Sequence, residues 1–260
     1  MLRHFLNPPN WFTAGNLFCG FYAIMTLMDG PGDAHSVYRA GLLVLFGAVF
    51  DMLDGRVARM TRSAGRFGTE LDSLADIVSF GLTPALAAWV WGVHRLGTLG
   101  MAACFFFLVC GAFRLARYNV KAETKASARS EGITITMAGI FLALVIMSHA
   151  ASGRETLERP MNAVILMTAL ALLMVSRVPY RTFKTVRASP LSISLLMLCA
   201  GIAVVIGVRY NISTVFMAFT ALYVASGPVE GLMLLGRGRR GKIPLPLPEA
   251  ERPPEPGEKP

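Results

Sequence analysis

A chain of 260 residues in which 54% are hydrophobic and only 16% charged does not read as a soluble domain; it reads as a polytopic membrane protein with the bilayer as its solvent. The net charge of +9 sits at the ends of apolar segments rather than in one basic stripe with interleaved aromatics, which excludes a nucleic-acid partner and points to topology and anionic lipid. The four cysteines, Cys19, Cys104, Cys110 and Cys199, fall inside apolar stretches without metal-ligand spacing and read as small packing residues.

A helix needs roughly 17–25 largely apolar residues to cross the hydrocarbon. About eight windows qualify, predicting an all-α polytopic membrane protein. The first, residues 11–28, has span length and no small-residue cleavage site, so it reads as a span rather than a secretory signal. The second, 36–53, carries carboxylates at its far end, and 77–93, 96–113, 132–151 and 160–176 follow. Two more lie at 190–208 and 212–235, the last interrupted by Gly227-Pro228, which predicts a kink. Residues 1–235 therefore form one membrane domain, with no repeat of fixed period. Residues 236–260 mix proline and charge in a way that cannot bury a core, and are expected to be a disordered cytoplasmic tail.

Lys and Arg collect on the cytoplasmic side of short loops. Arg56, Arg59, Arg62 and Arg66 follow span two, Arg114, Arg117, Lys121, Lys125 and Arg129 follow span four, and Arg177, Arg181, Lys184 and Arg187 follow span six. The tail adds Arg237, Arg239, Arg240 and Lys242, whereas the opposite side holds only Arg39, Arg95, Arg154, Arg159 and Arg209. The expected protein sits in the cell (inner) membrane with both termini cytoplasmic. Trp11, Trp89, Trp91 and Tyr180 read as interfacial anchors, and His4, His35, His94 and His149 as ordinary residues near span ends.

The stretch FDMLDGRVARMTRSAGRFGTELDSLADIVSF, residues 50–80, places carboxylates where two apolar spans meet water. Asp51 and Asp54 are three apart and Asp72 and Asp76 four apart, so each pair shares one face of its own helix. Four carboxylates gathered by a helical hairpin repel unless cations neutralise them, and hard ions such as Mg²⁺ or Mn²⁺ prefer oxygen ligands, so a site for two divalent metals is the natural inference. Gly55, Ala58, Gly65 and Gly68 keep bulk out, while Arg59 and Arg66 offer donors for phosphate oxygens. Phosphoryl transfer is the chemistry such an arrangement suits. The plainer alternative is a set of interfacial charges in salt bridges with neighbouring arginines.

The spacing D-x2-D-G-x2-A-R-x8-G-x3-D-x3-D is met by Asp51, Asp54, Gly55, Ala58, Arg59, Gly68, Asp72 and Asp76. This pattern closely resembles the signature of the CDP-alcohol phosphatidyltransferase family. PNWFTAGNLFCGFYAI (9–24), GAFRLARYN (111–119) and RVPYRTFK (177–184) are similar to its phosphatidylserine synthase branch. The resemblance implies a six-helix core plus two C-terminal helices, two metals held by Asp51, Asp54, Asp72 and Asp76, and Asp76 also as general base. It implies a CDP site lined by Gly55, Ala58, Arg59 and Gly68, with CDP-diacylglycerol and L-serine as substrates, acyl chains in membrane lipid, a cytoplasmic active site and a homodimer. Arg114 or Arg117 is a candidate partner for the serine carboxylate, and both also fit a purely topological role. One departure is EGITITMAG, residues 131–139, where many members of that branch carry a Gly-x-Pro-x-Pro segment. Glycerol 3-phosphate or inositol phosphate as acceptor is the alternative within the family, and a cation-coupled transporter the alternative outside it.

Overall fold

The computed structural model describes residues 8–61, 65–123, 130–176, 179–180, 220, 221 and 224. The helices are α1 (Pro8–Asp29), α2 (Ala34–Met60), α3 (Arg66–Asp76), α4 (Thr83–Val90), α5 (Thr98–Glu123), α6 (Ile135–Ala151) and α7 (Pro160–Val175). A π-helical segment, Ile77–Leu82, joins α3 to α4, and a 3-10 turn, Val93–Leu96, precedes α5. Strands β1 (Ser130–Glu131) and β2 (Pro179–Tyr180) form a short antiparallel pair. The predicted spans 190–208 and 212–235 and the tail lie outside the described residues, apart from Thr220, Ala221 and Val224.

Cross-helix neighbours fix the directions. Thr13 meets Asp54 and Asn16 meets Gly47, so α1 and α2 are antiparallel. Asn16 meets Asp76 and Gly20 meets Thr83, so α1 runs the same way as the α3–α4 rod. Ser73 pairs with Asn119 and Gly81 with Leu108, which sets α5 antiparallel to that rod. Gly41 lies against Met147 and Arg117 against the end of α7, completing an up-and-down bundle of the described helices. Four of these, Pro8–Asp29, Ala34–Met60, Arg66–Val90 and Thr98–Lys121, are long and apolar enough to cross a membrane, while Ile135–Ala151 and Pro160–Val175 are shorter.

The packing is that of a protein dissolved in lipid. Small residues such as Ala23, Ala40, Ala88, Ala138 and Ala171 fill the interior, while Phe105 is 65% and Phe113 67% exposed. Lipid tails solvate large apolar side chains as well as the interior does, so close packing of small residues holds the helices together. A Cβ on Gly20 would stand 2.5 Å from Ser79 Oγ, and one on Gly139 would run into the Phe80 carbonyl, so α1 and α6 approach the π segment at glycines. That segment has a cause in the sequence. Pro84 has no N–H to give the Phe80 carbonyl four residues back and its ring crowds that oxygen. The helix widens instead, and the Val78 carbonyl accepts both the N–H and, at 2.8 Å, the hydroxyl of Thr83.

Two expectations shift. The third crossing starts at Arg66, eleven residues before the predicted span, so Asp72 and Asp76 lie within a continuous rod rather than ahead of it. Trp91, read as an interfacial anchor, is fully buried, its Nε1 donating to His149 Nδ1 at 3.1 Å, while its carbonyl accepts from Leu157 N and the Thr156 hydroxyl.

Candidate active site

Asp51 and Asp54 sit near the end of α2 and Asp72 and Asp76 on α3, so the antiparallel course of the two helices brings both pairs to one end of the bundle. Asp54 and Asp76 are buried and the other two half-buried. One carboxylate oxygen from each of Asp51, Asp72 and Asp76 lies within 4.8 Å of the others. Asp54 stands beside this triad, its carboxyl within hydrogen-bonding reach of Asp72. Oxygens this close, on buried and half-buried side chains, require a shared proton or a cation. Asp72 Oδ1 is buried with no hydrogen-bond partner. An all-oxygen donor set with an orphaned buried carboxylate oxygen suits a hard divalent ion, and the residues present therefore fit the implied metals.

Two helices besides α2 and α3 bond to the cluster, and a third bonds beside it. Thr13 Oγ1 on α1 donates to Asp54 Oδ2 at 2.8 Å, and Asn16 Nδ2 donates to Asp76 Oδ1 at 3.3 Å. The Thr136 hydroxyl, in the first turn of α6, lies within hydrogen-bonding reach of Asp51. Thr134 N-caps that helix by accepting from Met137 N at 3.2 Å, which sets where its first turn points. On α5, Asn119 Nδ2 donates to Ser73 Oγ at 3.0 Å, next in sequence to Asp72. Sequence reasoning passes over Thr13, Asn16 and Thr136. The available signal was the placement of Asn10, Thr13 and Asn16 at intervals of three on one face of an otherwise apolar helix.

The residues expected to line the nucleotide site flank this centre. A Cβ on Gly55 would meet only Arg59 Nη1, at 3.5 Å, so the helix surface there is open. Ala58 is half-buried, Arg59 exposed, and Gly68 packs close to Asn10, whose Oδ1 would lie 3.2 Å from a Cβ. The two acceptor candidates part company. Arg117 donates to the carbonyls of Val175 at 2.8 Å, Met174 at 3.3 Å and Ser176 at 3.4 Å, capping the C-terminus of α7. Arg114 is buried, its guanidinium 5.9 Å from the centre of the Tyr118 ring. The pairs Ser73–Asn119 and Gly81–Leu108 set it level with the Asp76 turn.

Cavities of about 440 and 600 Å³ lie at the other end of the bundle, lined by residues that include His149, Arg154 and Asn162 in one and Asp33, His94 and Arg95 in the other. Neither contains a residue of the acid cluster.

Residues 6–225 match the model of the CDP-alcohol phosphatidyltransferase family. The CDP-diacylglycerol–serine O-phosphatidyltransferase of Helicobacter pylori is 35% identical over 190 residues, covering 70% of this chain and 76% of that one. The Bacillus subtilis enzyme of the same name is 31% identical over 176 residues, covering 68% and 90%. The archaetidylserine synthase of Methanothermobacter thermautotrophicus is 30% identical over 184 residues, covering 69% and 71%.

Proposed function

Because the chain belongs to the CDP-alcohol phosphatidyltransferase family, we propose that it transfers a phosphatidyl group from CDP-diacylglycerol to L-serine, releasing CMP. The observation that carries this reading is the convergence of Asp51, Asp72 and Asp76 to within 4.8 Å, with Asp54 beside them, at one end of a membrane bundle. The names of the relatives support serine as acceptor.

Asp51, Asp54, Asp72 and Asp76 would hold two divalent ions, Mg²⁺ or Mn²⁺, which when bound neutralise charge on the pyrophosphate and on the entering and leaving oxygens. The open surface at Gly55, with Ala58 and Gly68, admits the nucleotide, and Arg59 donates to its phosphates. Asp76 takes the proton of the serine hydroxyl. The freed oxygen attacks the phosphorus that carries the diacylglycerol, the bond to the CMP oxygen breaks, and the acyl chains stay in the lipid beside the bundle. Arg114, level with Asp76 and already buried, is the better placed of the two arginines to pair with the serine carboxylate, since Arg117 holds three carbonyls of α7. The arginines and lysines that follow spans two, four and six in the sequence support a cytoplasmic site.

The test is CMP release by purified protein with CDP-diacylglycerol and Mg²⁺ or Mn²⁺, offered L-serine, glycerol 3-phosphate and inositol phosphate in parallel. Release that needs both metal and serine is the expected result. Release with another acceptor keeps the chemistry and overturns the serine assignment, and no metal-dependent release overturns both.

A further inference from the structure

Helix α1 contributes no carboxylate to the cluster, yet it carries the polar groups that bond to two of the four. Thr13 is 3% exposed, and its hydroxyl, which also reaches the Pro9 carbonyl at 3.3 Å, donates to Asp54 Oδ2 at 2.8 Å. Asn16 is wholly buried in a helix whose other faces meet lipid. An amide buried in so apolar a setting costs on the order of 1–3 kcal/mol unless it is bonded, so its retention calls for a reason. Its Nδ2 donates to Asp76 Oδ1, whereas its Oδ1 has no partner and abuts Gly47, where a Cβ would lie 2.9 Å away. The reverse orientation of the amide would set two acceptor oxygens against each other, so the carboxylate itself fixes which way Asn16 points.

We propose that Thr13 and Asn16 are positioning residues for the divalent-metal site. Each occupies one oxygen of a buried carboxylate and leaves the other oxygen, Asp54 Oδ1 and Asp76 Oδ2, available to a cation. This rests on the reading that the acid cluster binds metal, and goes beyond it by assigning a role to a helix without any ligand. The geometry explains why two donors suffice. Four like charges in a low-dielectric setting would otherwise relax by rotating their carboxyl groups apart, and a donor bonded to one oxygen fixes that rotation. The Asn16 side is held firmly, because Ser79 Oγ donates to the Asn16 carbonyl at 2.9 Å and Gly20 lets the two backbones touch. Groups that orient metal-binding carboxylates and histidines typically change metal affinity 10–100-fold when removed.

The experiment is a Mn²⁺ titration of the purified full-length protein without substrate, read by electron paramagnetic resonance. The variants are Asn16→Leu, Thr13→Val and Thr13→Ser, with Asp51→Asn as a control that removes a ligand. Thermal unfolding in EDTA checks that each variant is folded. The proposal expects wild type to bind Mn²⁺, Asn16→Leu and Thr13→Val to bind 10–100-fold more weakly, and Thr13→Ser, which keeps the hydroxyl, to stay within about threefold. Should Asn16→Leu not fold, the Val and Ser variants at position 13 decide alone. Wild-type affinity in Thr13→Val or in folded Asn16→Leu overturns the positioning role and leaves the metal site standing. No Mn²⁺ binding by wild type overturns the metal site first and this inference with it.

Discussion

Gly139 and Gly55 both lie inside helices near the site, and alanine at each should have opposite effects. In an open helix, Gly→Ala stabilises by about 0.5–1 kcal/mol because the unfolded chain loses freedom. At Gly55 the new methyl would meet only Arg59 Nη1 at 3.5 Å, an ordinary contact, so the gain should survive. At Gly139 it would overlap the Phe80 carbonyl and come 2.8 Å from Phe80 Cα and Cβ, where carbon atoms prefer at least about 3.5 Å. Helix α6 must then retreat by roughly 0.7–1 Å, and overpacking of this kind costs about 1–3 kcal/mol. The retreat also draws Thr136, one turn nearer the helix start, away from Asp51. Thermal unfolding in detergent with EDTA should therefore rank Gly55→Ala at or above wild type and Gly139→Ala below it. CMP release should fall in both, through nucleotide binding in the first and site geometry in the second. A Gly139→Ala protein that unfolds no earlier than wild type would refute the close approach, and wild-type kinetics in Gly55→Ala would remove the nucleotide from that surface.

Asp76→Asn should lower turnover at least 100-fold without lowering the unfolding temperature in EDTA, since it removes one of four crowded like charges; near-normal turnover would refute the base assignment. Arg117→Ala should cost about 1–3 kcal/mol by leaving three carbonyls at the end of α7 without this donor, with the KM for serine unchanged. Arg114→Ala should instead raise that KM more than tenfold while leaving the KM for CDP-diacylglycerol in place, and the reverse pattern would exchange the two roles. Outside the spans, Asp33 caps α2 by accepting from Ser36 N at 2.8 Å and Ser36 Oγ at 3.0 Å, and those bonds, the backbone one foremost, hold its carboxyl below the usual range. A lowered folded-state pKa means this contribution is present above the unfolded carboxylate pKa and is lost as pH falls through the lower folded value. The difference in unfolding temperature between wild type and Asp33→Asn should accordingly shrink between pH 6 and about pH 3, and a difference independent of pH would rule the cap out.

The acid cluster was legible because charge in an apolar span is expensive enough to be informative. Asp51, Asp54, Asp72 and Asp76 are set at helical intervals at the edges of two predicted spans, and a hairpin between those spans leaves them few places to go. The four long apolar helices were legible for a related reason, since length and hydropathy must match the bilayer. Boundaries were not. Residues 66–76 are too polar to extend the predicted span, whereas in the structure the helix runs unbroken from Arg66 to Val90 and Asp76 is buried against α1. Trp91 was misplaced because an aromatic near a span end is as compatible with a buried bond to His149 as with a headgroup, and the composition of one helix does not say which. Thr13, Asn16 and Thr136 were missed because short polar side chains in membrane helices often bond their own backbone, and their partners here lie on other helices.

The irregular turn after Asp76 ties these observations together. A regular helix could not continue through Pro84, so the six residues Ile77–Leu82 form a widened coil directly against the residue proposed as base. In lipid the polar side chains of such a coil need partners, and Ser79 and the adjoining Thr83 find them on another helix. Ser79 and Thr83 donate to the carbonyls of Asn16 and Gly20 on α1, and Gly139 brings the α6 backbone against the Phe80 carbonyl. These bonds and the close approach at Gly139 thus hold α1 and α6 in register with Asp76. That register places Asn16 on Asp76 and Thr136 on Asp51. A feature that would weaken a lone helix becomes the joint that aligns three helices on one set of carboxylates.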